Sequence, residues 1–281
     1  MNLQELRTFL TIVETGSLVR ASEVLNVTQS TVTARLQSLE EELGQTLLNR
    51  SKSGATMTGA GVRLHRYADT ISDLWRQARQ ETALPDSTSG VCNLACELDL
   101  WPQLGERFFD DLQRSHPNLA VSVWLGSQTD VTAWLKDGKS DLAFTHRSAS
   151  SARQDQIELP SDRLILVSTK PDSPLRFDPG YVFVEAGEAF GRDHAAAYAD
   201  ANTARLNFGN ATVGLDHILR VGGSAYLPER LVRHHIAQAR LFALKAAPDF
   251  TRRVYLTFNR SARDGWPWLD AAVDQLAVNS S

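Results

Sequence analysis

One stretch, NVTQSTVTARLQSLEEELG at residues 26–44, restricts the fold more than any other part of the chain. Its apolar residues recur at spacings of three and four, the period of a helix with one buried face, at Val32, Leu36, Leu39 and Leu43. Thr28 precedes the helical pattern as an N-cap, and Gly44 follows it as a stop. The stretch therefore predicts a capped helix whose first two turns present many short polar side chains.

Two shorter helices precede this one. Apolar residues recur at helical spacing over residues 3–13, a Thr-Gly-Ser turn follows, and Ser17 is the expected N-cap of a second helix that ends near Asn26. A helix, a tight turn and a longer helix form a helix-turn-helix. After Gly44 the polar, glycine-containing QTLLNRSKSGATMT is compatible with a small two-stranded wing.

A longer helix is predicted from Thr58, its N-cap, to about Ala83, and PDSTSG follows as a linker. At about 1.5 Å per residue it forms a rod of roughly 38 Å. Its apolar side chains have the a and d spacing of a helix that packs against a partner helix, and they are Leu64, Tyr67, Ile71, Leu74, Trp75 and Ala78. The alternative is a surface helix that lies on its own domain.

Beyond Gly90 predicted strands alternate with helices, which is the order of a parallel α/β sheet, here in two lobes. A strand at 91–96 precedes a helix with Pro102 in its first turn, and a last helix begins at Trp266. The expected domains are a winged helix-turn-helix at 1–58, a linker helix at 59–84, a hinge at 85–90 and an α/β domain at 91–281. Within the last, lobe one takes about 91–161 and 256–281, and lobe two about 162–255.

Composition limits the function classes. The net charge of -4 argues against a wholly basic nucleic-acid coat protein, and residues 1–84 carry nine basic and nine acidic side chains, so the acidic excess lies beyond them. No secretion signal or membrane-length apolar run is present, which favours a cytoplasmic protein. The four enzyme motifs sought, GxGxxG, GxxxxGK[ST], HExxH and GxSxG, are absent, so we expect neither catalysis nor a cofactor or metal. Cys92 and Cys96 fit buried core positions better than a redox pair or metal site, and His234-His235 a solvated face better than a ligand pair.

The predicted third helix carries side chains suited to DNA off its apolar stripe: Gln29, Ser30, Thr31, Thr33 and Arg35. In a helix-turn-helix this end of the second helix enters the major groove, where Gln pairs with adenine, Arg with guanine, and Thr with the thymine methyl group. The alternative is the solvated polar face of a small helical bundle.

The N-terminal sixty residues resemble the LysR-type transcriptional regulators. The motifs that carry the resemblance are LRTFL, GSLVRASEVL, TQSTVTARLQSLEEELG, LLNR and MTGAG. The sequence departs from the family pattern at Leu48, where Phe is usual, and at Met57, where Leu is usual. These departures put only the packing of the wing in doubt. The resemblance implies that Ser17, Arg20, Arg50 and Ser53 reach phosphates and that the rod is a dimerisation helix. With Thr28 these residues complete the expected DNA-binding set.

The resemblance also implies that the C-terminal domain resembles periplasmic solute-binding proteins, with a small-molecule cleft between its lobes; here it rests mainly on LPERLV at 227–232 and on the strand order. Ligands bind at the carboxyl ends of parallel strands. That rule nominates the effector-binding residues Glu97, Asp99, Trp101, Ser127, Thr145, His146, Asn207, Asn210 and Ala211. Two acids facing a pocket favour a nitrogen-bearing effector. Two alternatives stay open: the acids point to solvent, or side chains fill the pocket and no effector exists.

The sequence thus predicts a DNA-binding transcriptional regulator modulated by a small molecule in this cleft. Its expected partners are double-stranded DNA, the effector and a second copy of the chain, with a tetramer and a contact to RNA polymerase left open and no membrane. The alternative is a solute-binding or catalytic α/β module that carries an N-terminal interaction domain.

Overall fold

The computed structural model describes residues 2–51, 54–148, 154–199, 204–263 and 266–279. The chain forms two compact units, Met1–Asp86 and Ser87–Ser281, and each is described by itself. Among the described residues, none of the helices has the length and apolar character needed to cross a membrane.

The first unit contains four helices and a two-stranded wing. These are α1 Leu3–Thr15, α2 Leu18–Val24, α3 Gln29–Leu43, β1 Leu48–Ser51, β2 Gly54–Met57 and α4 Gly59–Glu81. The three predicted N-caps are confirmed, because the side chains of Ser17, Thr28 and Thr58 each accept a hydrogen bond from a backbone N–H three residues later. The left-handed φ of Gly44, 62°, ends α3 as the sequence indicates. β1 and β2 pair in antiparallel register, which confirms the wing.

One apolar core joins the helices of this unit. α3 contributes Val32, Leu36 and Leu39, all buried, against Leu6, Phe9 and Ile12 of α1. Leu43 was expected on the same stripe, and that prediction is wrong, because its side chain lies 45% exposed at the last turn.

The first half of α4 belongs to this core. Ala68 is fully buried, and Leu64 and Ile71 pack against the same cluster, so these members of the predicted partner-facing stripe lie on their own domain. Tyr67 and Trp75, in contrast, are more than half exposed. The alternative interpretation of α4 therefore describes Leu64 and Ile71, in the first half of the helix.

Two glycines in the first turn of α4 have different surroundings. A Cβ added at Gly61 would lie well inside the van der Waals distance of the Leu47 carbonyl oxygen, just before the wing. A Cβ added at Gly59 would meet only the end of the Arg63 side chain at 3.7 Å. The helix and the wing therefore approach closely at Gly61 and not at Gly59.

We expect Gly61→Ala to lower the free energy of unfolding of the first unit by about 2 kcal/mol, because the added Cβ forces the α4 backbone and the Leu47 carbonyl group apart. Gly59→Ala should be neutral or stabilising by less than about 1 kcal/mol. Hydrogen exchange of the α1 and α3 amides measures this unfolding separately from the rest of the chain. Equal protection in the two variants would contradict the close approach.

The second unit has nine strands and seven helices among its described residues. They are β3 Gly90–Glu97, α5 Glu106–Ser115, β4 Leu119–Gly126, α6 Gln128–Lys136, β5 Leu142–Thr145, β6 Gln154–Ser168, β7 Val182–Val184, α7 Glu188–Ala197, β8 Leu206–Phe208, α8 Ala211–Val221, β9 Ser224–Pro228, α9 Glu229–Ala237, β10 Phe242–Ala243, β11 Phe250–Asn259, α10 Arg260–Arg263 and α11 Leu269–Asn279.

Two long strands, β6 and β11, run through both lobes. β3 pairs in parallel with β4 and β5, β5 pairs antiparallel with β11, and β11 pairs antiparallel with β6. The far half of β6 then pairs antiparallel with β9 and β10. The parallel order predicted for the first three strands of this unit is confirmed, and the strands that follow make the whole sheet mixed. β7 and β8 pair in parallel, and a bridge from Tyr181 to Ser224 joins β7 to β9.

Three helix predictions need correction. Pro102 does not open α5, because its ψ of 130° and the left-handed φ of 71° at Gln103 are not helical, so the helix begins at Glu106. The last helix begins at Leu269, after Trp266. Helix α7 was not predicted, since its apolar pattern is weak and Phe190 is its only described residue that is buried.

The cysteines occupy core positions, as predicted. Cys92, Leu94 and Cys96 share one buried face of β3 in the lobe-one core. Burial raises the pKa of both thiols, which keeps them protonated and unreactive. In the described part of the chain, the His, Cys, Asp and Glu side chains form no group suited to a metal ion.

Candidate nucleic-acid interface and effector cleft

The N-terminal turn of α3 presents a compact polar surface. The Thr28 hydroxyl caps the helix and also lies 2.8 Å from the hydroxyls of both Ser30 and Thr31. Gln29 and Ser30 are exposed, while Thr31 and Thr33 are half-buried. The first free backbone amides of the helix lie beside these hydroxyls, an arrangement that favours a phosphate and base edges together.

Arg35 has a partner that the sequence did not suggest. Its guanidinium donates to the side-chain oxygen of Gln4 at 2.8 Å, which holds it against the start of α1. One turn later Ser38 donates to Glu5, the residue that completes the capping box of α1 with Asn2. Arg35 is therefore a positioned cation at the edge of the α3 surface.

Glu40 ties α3 to the wing. One carboxylate oxygen accepts from the backbone N–H groups of Leu47 and Leu48 at 2.8 and 3.3 Å, and the other lies 3.1 Å from the Arg50 guanidinium. The Glu40 carboxylate therefore fixes the wing that carries Arg50.

The remaining predicted phosphate contacts differ in availability. The Ser17 side chain is used as the cap of α2, while Arg20, in the first turn of that helix, is exposed. Leu48 is buried and Met57 packs against the same core, so the two departures from the family pattern still fill the base of the wing. Ser53 lies outside the described residues.

In the C-terminal unit, the two predicted cleft acids are already bonded. Asp99 accepts from the backbone N–H of Ala211, the first residue of α8, at 2.7 Å, and lies 3.7 Å from the Arg252 guanidinium. Glu97 is buried and accepts from the Thr145 hydroxyl and the His146 backbone N–H. Ala211 was nominated as an effector-binding residue, and Asp99 occupies its backbone N–H.

A buried ion-pair cluster completes the cleft, and the sequence analysis missed it. Asp162 of β6 accepts from Arg230 at 2.7 Å and from Arg252 at 3.2 Å. Arg230, at the start of α9, also donates across the cleft to the carbonyl oxygens of Asp99 and Pro102. The signal was present in LPERLV, which contains Arg230, but its partner Asp162 lies 68 residues earlier.

The charges in this cluster respond to burial and pairing in opposite directions. Burial raises the pKa of Glu97 and of Asp99, and their hydrogen bonds and Arg252 only partly offset it. Burial alone would raise the pKa of Asp162 as well, but Arg230 and Arg252 outweigh it and hold that pKa below its usual value. Asp162 is therefore the firmly ionised carboxylate of the cleft.

Several residues nominated for the effector cleft are bonded or packed within the chain. Trp101 packs on the lobe-one core, and exposed Ser127 caps α6. Asn210 caps α8, and exposed Asn207 lies on β8 beside a different cavity.

His146 lies inside the cluster as a neutral ring. Its Nδ1 lies 2.9 Å from the Arg253 carbonyl oxygen, so that nitrogen carries the proton, and its Nε2 lies 3.9 Å from Asp162. Burial, together with the Arg252 charge, lowers the pKa of His146 to about 3. The buried Nε2 and the Nε of Arg252 have no hydrogen-bond partner among the described residues.

Comparison with known proteins gives this arrangement a family. Residues 3–62 match the model of the bacterial regulatory helix-turn-helix protein, lysR family, and residues 85–265 match the LysR substrate binding domain. The second match alone spans more than half of the chain. The protein belongs to the LysR family. Its members are transcriptional regulators with a DNA-binding helix-turn-helix and an effector-binding domain.

Individual LysR-family proteins align along most of the chain. The HTH-type transcriptional regulator HdfR of Escherichia fergusonii is 27% identical over 231 residues, which cover 81% of this chain and 82% of that protein. The structure of CbnR, a LysR family transcriptional regulator, covers 98% of both chains at 16% identity with a TM-score of 0.70. Full-length LysG of Corynebacterium glutamicum with bound effector Arg covers 99% of both at 21% identity with a TM-score of 0.56. At these identities the two structures show the LysR fold alone.

The buried neutral His146 predicts an acid-labile LysR substrate domain. As pH falls below about 6.5, the unfolded imidazole takes up a proton that the folded one refuses until about pH 3, so stability decreases through that window. We expect His146→Asn to reduce the loss of unfolding free energy between pH 6 and pH 5 by about 1 kcal/mol per pH unit. Urea unfolding followed by tryptophan fluorescence measures it, since five of the six tryptophans lie beyond residue 86. Parallel pH profiles for the two proteins would show that His146 is not the group responsible.

Proposed function

We propose that this LysR-family chain regulates transcription as a homodimer that binds double-stranded DNA through α3 and the wing. In this proposal Gln29, Ser30 and Thr33 face base edges, with Arg35 beside them. The phosphate contacts are Ser17, Arg20 and Arg50, with Ser53 still a prediction.

The observation that carries the proposal is the N-terminal turn of α3. Its apolar side chains are buried in the core while Gln29 and Ser30 extend from the helix end into solvent. Thr28 uses its side chain on the cap, so its contact with DNA would be through the ordered N-terminus that it creates. Such a rigid, exposed polar turn is what direct readout in the major groove needs.

The wing supports the phosphate contacts. Arg50 is more than one-third exposed and is paired with Glu40 at the surface, where an ion pair contributes at most about 1 kcal/mol. A DNA phosphate can therefore share or replace Glu40 at little cost. The remaining bonds of Glu40, to the backbone of Leu47 and Leu48, keep the wing in place when this exchange occurs.

The exposed side of α4 supports dimerisation. Leu74, Trp75 and Ala78 continue the predicted stripe beyond Ile71, and neither they nor Tyr67 belong to the core that holds Leu64 and Ile71. LysR-family proteins typically oligomerise, and a second helix on this side would cover Trp75, now 52% exposed. A tetramer, a contact with RNA polymerase and a cytoplasmic location remain predictions.

A small-molecule effector is part of the proposal, but the cleft does not support a nitrogen-bearing one. Arg252 and the Ala211 amide already neutralise Asp99, and Glu97 is bonded within lobe one. An ammonium group would have to displace these partners. The bonds across the cleft instead hold the two lobes together through the chain's own residues.

We expect Gln29→Ala to weaken binding to the specific operator by about 1 to 3 kcal/mol and to leave non-specific binding nearly unchanged, because a base-edge contact is lost. Electrophoretic mobility shifts on the DNA upstream of the protein's own gene, against a scrambled duplex of equal length, measure both. Gln37→Ala is the matched control, since Gln37 is exposed on the same helix two turns further on. An equal loss on both duplexes would place Gln29 outside the readout, and no specific binding by the wild type would remove the proposed function.

We expect the double variant Leu74→Glu, Trp75→Glu to sediment as a monomer and to lose operator binding, because two carboxylates would be buried between helices. Leu64 and Ile71 are unsuitable, since changes there would also disrupt the first unit's core. Gln80→Glu is the control, because it adds one charge at an exposed position on the opposite side of α4. A double variant that remains dimeric would exclude this surface.

A further inference from the structure

Lobe two contains a cavity of about 770 Å³ on the side of its sheet away from α8. Val182 and Val184 of β7 pack with α8, whereas Tyr181 and Phe183 alternate to the other side, where α7 lies. The open cavity is bordered by this side of the sheet, by α7 and by residues 174–179. Its volume is in the range of small-molecule sites.

Aromatic rings form one wall of the cavity. Tyr181 and His194 stack with centroids 5.7 Å apart, and the Tyr181 hydroxyl lies 2.7 Å from His194 Nε2. Tyr226 donates to the Pro248 carbonyl oxygen, so the 2.6 Å bond between the hydroxyls of Tyr198 and Tyr226 is donated by Tyr198. The hydroxyl groups of this cluster thus have partners within the protein, and the wall offers ring faces and edges to a ligand.

Positive charge lies at the rim. Arg205 is exposed there, and Arg176 stacks over the Tyr198 ring at 5.4 Å while it donates to the Ala197 carbonyl oxygen. Among the described residues of the lining, Asp178 is the acid, and it accepts from the Ser224 hydroxyl and the Gly180 backbone N–H. A ligand with an apolar aromatic body and one anionic group matches this combination of ring wall and cationic rim.

Gly191 shows that the helix leaves this space open. It lies inside α7, where glycine is less stable than alanine, and it lines the cavity. A Cβ added there would meet no atom within 4 Å. Packing therefore does not require glycine at this position, whereas a larger side chain would project into the cavity.

We propose that this cavity is a binding site for a planar aromatic carboxylate, with its rings against Tyr181, His194 and Tyr198 and its carboxylate at Arg205. Tyr226, in the wall, is four residues before Arg230, the residue that reaches across the cleft to lobe one. A ligand against Tyr226 would thus lie on β9, the short strand that leads directly to Arg230 and its bonds with lobe one. That this site is the effector site rests on the proposed function, while the binding itself does not.

The binding is tested by calorimetry of the full chain with 2-naphthoate, without DNA. We expect one site per chain, an at least tenfold loss of affinity in Gly191→Phe, whose ring fills the cavity, and less than a threefold change in Gly191→Ala. The alanine variant also gains helix propensity over glycine, and it lacks the bulk. Unchanged or raised midpoints of thermal unfolding show that both variants are folded.

The charge preference is tested with 2-naphthalenemethanol, which keeps the rings and lacks the anion. We expect the wild type to favour the carboxylate by about threefold to tenfold, and Arg205→Gln to abolish that preference while binding of the alcohol is unchanged. No binding of 2-naphthoate, equal loss in both Gly191 variants, or a preference that survives Arg205→Gln would overturn the proposal. Operator binding measured on the same ligand-free variants is the separate readout of the proposed function.

Discussion

The C-terminal unit depends on the requirement that one buried carboxylate be neutralised. Asp162 is 6% exposed in the middle of β6, and an isolated charge there would be too costly to keep. Arg230 from α9 and Arg252 from β11 both converge on it, and Arg230 then reaches the carbonyl groups of lobe one. Removing one partner of such a buried pair typically costs about 3 to 5 kcal/mol. The position of lobe two against lobe one follows from this charge balance.

Features set by nearby residues could be predicted from the sequence. The caps at Ser17, Thr28 and Thr58 involve partners three residues away, and the apolar period of α3 is complete within one helix. Features set by distant residues could not. The bond from Asp99 to Ala211 joins residues 112 apart, so the sequence placed both at the cleft but gave no sign that each would satisfy the other.

The two candidate ligand positions in the C-terminal unit differ in which groups still lack a partner within the chain. In the cleft the ionised groups are paired within the chain, so a ligand must compete with the protein's own bonds. In the lobe-two cavity the hydroxyls are paired, but the aromatic faces border open space. Sequence analysis considered only the first position, because the rule about strand ends directs attention to the cleft. The rings of the second come from segments that carry no motif, including the unpredicted α7.

The lobes are joined by β6 and β11, which pair with each other along most of their length. No flexible linker of the kind that joins independent domains is present between them in the described part of these strands. The register of the pair shifts between Arg252 and Val254, beside the residue that binds Asp162. Relative motion of the lobes would have to twist the β6–β11 pair. The register shift of that pair lies beside the Arg252 ion pairs with Asp99 and Asp162, so a change in the twist there acts directly on the charges of the cleft.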